Sequence, residues 1–519
     1  MHHARRDDVV SRVLRLDRIR DVDTMRQVAV LLERENDRLH AKLTALTREL
    51  SQLRGEDARA AQRRLEALQE ILAQRERTLF GASSEQRPQP ATTPPAPAAP
   101  PPRGHGPKAQ PALPSIDMVH ELAASDRACP ACGGVLREMT GQTEDSEEIT
   151  VVERQFVMLH HLRKKYRCTC NGCVETAPGP LRLTTHPDRR GRRYSADFAI
   201  EVAIGKYLDH LPLERQVRMM RREGLAIDSQ TLWDQLEAAA TILQPTYEAL
   251  RQHVQAAPVI GADETWWRVF VGPAGKRWWA WSLTSETAVT YTILQSRSQE
   301  AARQVLNGYR GIVIADGYSA YEALARAGPR FTLAHCWAHV RRKFVEAEPH
   351  YPGPCAEALD LIGQLYAVEQ ACPRVGVGDE DEQTELRQRR AHLRAERSAP
   401  LVAAIRAWAQ QQRALPESSL GKAITYMLGL WPGLTRFLDD PRIPLDNNAT
   451  ERALRGMVIG RKNHYGSRSK RGTEVAALFY SLIESAKLCG VEPKAYLLRA
   501  LRAALATPGT VTLPHTLAT

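Results

Sequence analysis

Segment 87–114, RPQPATTPPAPAAPPPRGHGPKAQPALP, is dominated by proline and alanine and carries no run of large apolar residues. It has too little apolar surface to offset the entropy of ordering it, and its prolines oppose helix interiors and central strands. The chain therefore cannot fold as one continuous domain, and the segment is expected to be an extended, semi-rigid linker. The first 86 residues are then tethered to the remainder rather than packed into it, and 519 residues suggest about three or four domains in all.

Ahead of the linker, Met25, Leu32, Leu39, Leu46 and Leu53 recur at every seventh position, with Ala29, Asn36, Leu43 and Leu50 at the partner positions. Leucines at d with a single asparagine at a predict a dimeric coiled coil whose register the asparagine sets. An amphipathic helix packed on its own chain is the competing reading. A second helical stretch over 57–80 carries Leu65, Leu68, Leu72 and Leu79. Region 1–86 is thus read as N-terminal helices with a coiled coil, and the expected assembly is a homodimer or higher.

Five of the nine cysteines fall between 129 and 173, and the N-terminus MHHARRDDVV is charged where a secretory signal is apolar. Such clustering in a chain read as cytoplasmic indicates a metal site rather than disulfides. Cys129-Pro-Ala-Cys132-Gly-Gly is a zinc-knuckle sequence, and Cys168-Thr-Cys170-Asn-Gly-Cys173 supplies the second half. Cys170 and Cys173 restore the two-residue spacing, whereas Cys168 with Cys173 is also compatible. Four thiolates leave no open position, so one Zn²⁺ here is expected to be structural, within a ribbon domain spanning 115–185. The isolated Cys336, Cys355, Cys372 and Cys489 read as ordinary buried residues.

The charge balance is +11, which favours an anionic partner, nucleic acid first. No run approaches the roughly 18 apolar residues of a membrane span. Region 186–250 reads as helical, with a break at Gly224 and a helix cap at Asp228 or Ser229 that suggest a helix-turn-helix-like unit. Arg215, Arg218, Arg221 and Arg222 line its first half, as a DNA contact or as a solvated face.

From 258 the sequence turns to strands. Asp263 follows Pro258-Val259-Ile260-Gly261-Ala262, and Asp316 follows Gly311-Ile312-Val313-Ile314-Ala315. A strand flanked by core cannot hold an unpaired carboxylate cheaply, so acids placed there point to function. Two of them on neighbouring strands suit Mg²⁺ or Mn²⁺, and a third carboxylate would complete a two-metal site for in-line attack on a phosphodiester. Glu451 is the candidate, in Asp446-Asn447-Asn448-Ala449-Thr450-Glu451, where Asn447 or Asn448 is expected to cap a helix. Arg452 and Arg455 accompany it, Arg455 one turn on along the same face. Glu264 and Asp446 are the substitutes for these carboxylates.

Arg461, Lys462, His464, Tyr465 and Arg468 crowd a short stretch with Gly466, which suits a grip on a DNA backbone with a stacking aromatic. His335 and His339 are read one helical turn apart, as a metal-binding pair or, the favoured reading, as structural residues or DNA contacts beside Arg341, Arg342 and Lys343. The tryptophans Trp266, Trp267, Trp278, Trp279 and Trp281 are expected to pack the strands.

Taken together, LFGASSE at 79–85, CPACGG, KYLDHLPLERQ, GADET, ADGYSAY, HCWAHVRRKF and DNNATERALRGMVIGRKNHYGS occur in an order that resembles the IS66 family of bacterial insertion-sequence transposases. The resemblance covers nearly the whole chain. It implies a multidomain α/β protein with a ribonuclease-H-like core: its first part at 251–344, a helical insertion at 345–436, and the catalytic Glu helix with a basic segment and C-terminal helices at 437–519. By position, the catalytic set is Asp263, Asp316 and Glu451, holding two Mg²⁺ or Mn²⁺. The implied activity is cleavage at element ends and strand transfer into double-stranded target DNA. Companion proteins of the same element remain open as partners. Two other readings compete: an inactive DNA-binding regulator on the same scaffold, and a metal-dependent nuclease of the same fold acting on branched DNA.

Overall fold

The computed structural model describes residues 41, 42, 45, 130–135, 155–167, 173–181, 183, 194–270, 276–328, 331–373 and 380–518. The heptads, apart from helical Ala41, Lys42 and Ala45, lie outside the described residues, as do the linker, Cys129, Cys168 and Cys170. Residues 81–154 form a unit of their own. Its described part is an exposed turn at 130–135 in which Gly133 takes a left-handed φ of 72°.

In the larger unit, a short antiparallel hairpin pairs β1 (Lys165–Arg167) with β2 (Val174–Thr176). Three helices follow: α1 (Ala196–Tyr207), α2 (Leu213–Arg222) and α3 (Ser229–Ala256). Gly224 at φ 84° turns the chain between α2 and α3, and the Asp228 carboxylate accepts the Thr231 N–H at 2.7 Å, so the expected break and cap are both present. The four arginines of this region are exposed. Beyond its first turns α3 packs into the main core through Leu243, Tyr247, Leu250 and Val254.

The core is a five-stranded mixed sheet of β3 (Val259–Val269), β4 (Lys276–Thr284), β5 (Val289–Leu294), β6 (Ile312–Ala315) and β7 (Thr332–His335). Its order is β5-β4-β3-β6-β7; the first three strands are antiparallel, and β6 and β7 run parallel to β3. Helices α4 (Gln299–Leu306) and α5 (Ser319–Arg326) make the parallel crossovers. Helix α6 (Trp337–Ala347) leaves β7, and four more, α7 (Pro352–Ala371), α8 (Glu380–Leu393), α9 (Ala399–Gln411) and α10 (Ser419–Gly429), build a helical layer. That layer shares a core with Ile312 and Ile314 of β6. The chain then returns through α11 (Trp431–Leu434) to α12 (Asn448–His464), α13 (Lys470–Leu488) and α14 (Pro493–Ala506).

Helix α13 is buried along nearly its whole length, and its Ser481 and Ser485 hydroxyls accept the Tyr291 and Val289 N–H groups at 2.9 Å. A helix thus supplies partners to the free edge of β5, which is why that edge can lie inside the protein. Trp267, Trp278 and Trp281 are buried as expected, but Trp266 is 40% exposed. No helix among the described residues is long and apolar enough to cross a membrane.

Candidate active site

Strand geometry alone brings two of the three acids together. In the parallel pairing Gly261 lies opposite Ile314, so continuing the register by two residues sets Asp263 opposite Asp316. Residues two apart share a face, so Gly261, Asp263 and Thr265 point one way and Glu264 the other. Helix α12 covers that first face. Its approach depends on Gly261, where a Cβ would sit 2.1 Å from the Thr450 hydroxyl and 2.2 Å from Asn447 Oδ1. With no side chain there, the first turn of α12 lies directly on the strand and carries Glu451 to the acids.

Asn447 stands at the N-cap of this helix, as the sequence suggested, but its side chain caps no helix N–H. Its Nδ2 donates to the Ala262 carbonyl at 3.0 Å, its Oδ1 accepts the Thr450 hydroxyl at 2.7 Å, and its N–H meets Cys336 Sγ at 3.2 Å. One buried amide therefore ties α12 to β3 and to the start of α6. Asp446 accepts the Asn448 N–H at 3.1 Å and the Asn448 Nδ2 at 2.7 Å, closing the turn ahead of the helix.

Asp263 Oδ1 accepts the Glu264 N–H at 2.7 Å. Burial pushes the Asp263 carboxyl up to about 7, and the charges of Glu264, Asp316 and Glu451 add to the rise, against the N–H bond that lowers it. Asp316 Oδ1 accepts the Tyr318 N–H at 2.9 Å, and the Tyr426 hydroxyl of α10 donates to the Asp316 carbonyl. Glu264 is buried on the opposite face, where Arg297 at 2.6 Å and the Tyr321 hydroxyl at 3.0 Å satisfy it. Burial still raises its carboxyl. It is therefore an ion-pair partner rather than a fourth member of the set.

Glu451 meets Arg342 Nη2 at 3.2 Å and His339 Nε2 at 3.5 Å, both from α6, instead of pairing with Arg455 along its own helix. Its Oε1 is buried without a hydrogen-bond partner. Burial lowers the His339 imidazole, with Glu451 and Asp316 opposing the shift. His335 and His339 are not on one helix: His335 ends β7, and His339 lies in α6. Sequence reasoning passed over Cys336 as an ordinary buried thiol, yet it stands beside His339 and Glu451; the Cys-x-x-His spacing at a strand-helix junction was the available signal.

The expected DNA-contact residues divide. Arg341, Arg342, Lys343, Arg452, Arg455, Lys462, Tyr465 and Arg468 are exposed. Arg461 and His464 are turned inward instead. Arg461 donates to the Thr265 hydroxyl at 2.9 Å and to the Trp266 carbonyl, and its guanidinium lies 3.8 Å from the Trp266 ring centroid. Its period along α12 brings it back to β3, so it fastens helix to strand. His464 shares a hydrogen bond with Tyr480 at 3.2 Å and packs edge-on against Trp267. Burial lowers it to about 3, so it is a neutral core residue.

Comparison with known proteins decides the family. Residues 191–475 match the Transposase IS66 family, and residues 126–171 match the zinc-finger binding domain of transposase IS66. The chain belongs to the IS66 transposase family. Two uncharacterized proteins of Sinorhizobium fredii, y4jD and y4hP, are similar: 32% identical over 74% of this chain and 76% of the relative, and 30% identical over 71% and 69%. The IS66 match spans β3, β6 and α12, and so contains all three acids. The zinc-finger domain supports a structural Zn²⁺; its match includes Cys129, Cys132, Cys168 and Cys170 and stops before Cys173. Cys132 and Cys173 are both exposed and in no disulfide.

Proposed function

We propose that this IS66-family protein is a DDE transposase in which Asp263, Asp316 and Glu451 carry metal-dependent cleavage and strand transfer at the ends of its element. The observation that supports this most is the convergence of three carboxylates from separate elements, of which Glu451 alone meets a cation, Arg342, at a point where Asp263 is raised to about 7. Strongly perturbed acids in such settings mark functional sites. The order of three antiparallel and two parallel strands, with helices on both faces, supports a ribonuclease-H-like core.

The residues fit a hard divalent cation. All three offer carboxylate oxygens, and Mg²⁺ or Mn²⁺ would offset both the burial and the neighbouring carboxylates that raise Asp263. When bound, two such ions activate an attacking oxygen and stabilise a leaving one. The chain itself holds the ligands in place. Asn447 and Gly261 fix the first turn of α12 on β3, Arg342 orients Glu451, and the Tyr318 N–H fixes Asp316. Exposed Arg341, Lys343, Arg452, Arg455, Lys462 and Arg468 neutralise phosphates on either side of the acids, and Tyr465 offers a ring to a base. The zinc ribbon and the α2–α3 unit bind element ends, and the N-terminal coiled coil pairs two copies.

Plasmid carrying the DNA that flanks this gene tests the reading. Wild type in Mg²⁺ nicks at fixed element ends and leaves 3′-hydroxyls, and EDTA stops it. Asp316→Asn and Glu451→Gln lower the rate by about 10³-fold or more, since each removes a metal ligand worth several kcal/mol. Variants that nick as fast as wild type would overturn the assignment.

A further inference from the structure

Cys336, His339 and Glu451 bring a thiol, an imidazole and a carboxylate to one point, their ligand atoms all within 4.8 Å of one another. Cys336 stands at the N-cap of α6 and His339 lies in its first turn, so one helix start presents both, while Glu451 comes from the first turn of α12. The arrangement is held from outside. The Asn447 N–H points at Cys336 Sγ from 3.2 Å, and Arg342 holds Glu451 Oε2 at 3.2 Å, leaving Oε1 facing His339 Nε2 at 3.5 Å. Glu451 Oε1 and His339 Nδ1 are buried without hydrogen-bond partners. An acceptor left unpaired beside a thiol and an imidazole suits a cation better than it suits a packing role.

We infer that Cys336, His339 and Glu451 form a binding site for a soft divalent cation of the zinc class, joined through Glu451 to the acids Asp263 and Asp316. The ligand types decide the ion. Sulfur and imidazole nitrogen select Zn²⁺ or Co²⁺ over Mg²⁺, which demands oxygen and keeps its waters. Three protein ligands leave a fourth, open position, unlike the closed four-sulfur set expected of the zinc ribbon. On binding, the Cys336 thiol releases its proton to solvent and the sulfur donates an electron pair to the metal, while the N–H group aimed at the sulfur stabilises the resulting thiolate. The site goes beyond the proposed reaction, because its occupancy is read without DNA. On that reaction, an ion here holds Glu451 Oε1 away from the other two carboxylates.

Cobalt as a spectroscopic stand-in for zinc tests the site in the full chain, stripped of metal under reducing conditions. Wild type binds one Co²⁺ more per chain than Cys336→Ser, and the additional ion shows thiolate-to-cobalt charge-transfer absorption. His339→Gln loses the same ion, which keeps the test open should Cys336→Ser fail to fold. Cys132→Ser removes the ribbon's ion and leaves this one. Equal cobalt binding by wild type and a folded Cys336→Ser or His339→Gln would overturn the site, as would loss of every bound ion in Cys132→Ser. None of these outcomes depends on DNA cleavage, so failure of the site and failure of the transposase reaction are separately visible.

Discussion

Arg394 and Asp263 are both charged residues withdrawn from water, and their surroundings are arranged in opposite ways. Arg394, in a π-helical turn at Arg394–Ser398 between α8 and α9, is fully buried, and all three of its guanidinium nitrogens are engaged. They meet the Glu369 carboxylate at 2.8 Å and the carbonyls of Phe437 at 2.7 Å and Ile443 at 2.9 Å. Those carbonyls belong to the chain that leads into α12, so the arginine fastens the helical layer to the segment that delivers Glu451. Asp263 has neighbours of its own sign and a single backbone N–H, and its carboxyl is pushed up to about 7. A buried charge that is matched on every side serves structure, whereas one left unmatched points to a ligand from outside.

The two clusters should therefore respond to neutralisation with opposite signs. Arg394→Met leaves Glu369 to Arg390 alone and the buried Phe437 and Ile443 carbonyls without their donor, and should cost about 3–5 kcal/mol in denaturant unfolding. Asp263→Asn in metal-free protein should stabilise at neutral pH, by up to about 4 kcal/mol for a carboxyl raised from 3.8 to about 7. If both variants destabilise equally, the contrast between the clusters is lost.

The pH dependence sharpens this. Below about pH 4 the Asp263 carboxyl is protonated in both states and contributes nothing. Between about 4 and 7 the unfolded chain ionises while the folded one keeps its proton, so stability falls as pH rises, and above about 7 the penalty is complete. Wild type minus Asp263→Asn, measured by unfolding across this range without divalent ions, should show that slope, and added Mg²⁺ should reduce it.

Smaller effects follow at the joints around the acids. Asn447→Ala leaves the buried Ala262 carbonyl without its donor and should cost about 1–3 kcal/mol. DNA cleavage should fall further than that loss of stability explains, because Glu451 is no longer held on β3. The least change is expected at the surface. Arg468→Ala should leave unfolding unaltered and lower the salt dependence of DNA binding by about one phosphate contact. Arg461→Ala should instead lower stability, since Arg461 binds Thr265 and Trp266 rather than solvent.

Much of the site was legible because strands announce themselves. Apolar runs ahead of Asp263 and Asp316 marked both strands, and Asp316 does follow the end of β6, whereas β3 runs on past Asp263 to Val269 because Thr265–Val269 pair with β4. The break at Gly224 with the cap at Asp228 followed from turn and capping chemistry. What escaped was anything set by tertiary contact. Helical periodicity places Arg455 beside Glu451, but a residue distant in sequence, Arg342, takes that role. Arg461 and His464 share a basic, glycine-bearing stretch with exposed neighbours, and composition cannot show which side of a helix meets a strand. Asn447 looked like a cap because its local sequence is that of a cap; its amide found the Ala262 carbonyl only because Gly261 lets the helix come so close.

Manganese binding, followed by electron paramagnetic resonance with wild type and Asp263→Asn near pH 7.5, tests the central claim that the unmatched acids are a cation site. Wild type should bind Mn²⁺ tightly, and Asp263→Asn, while folded, should weaken that binding by more than about tenfold. Equal binding by the two proteins would contradict the account.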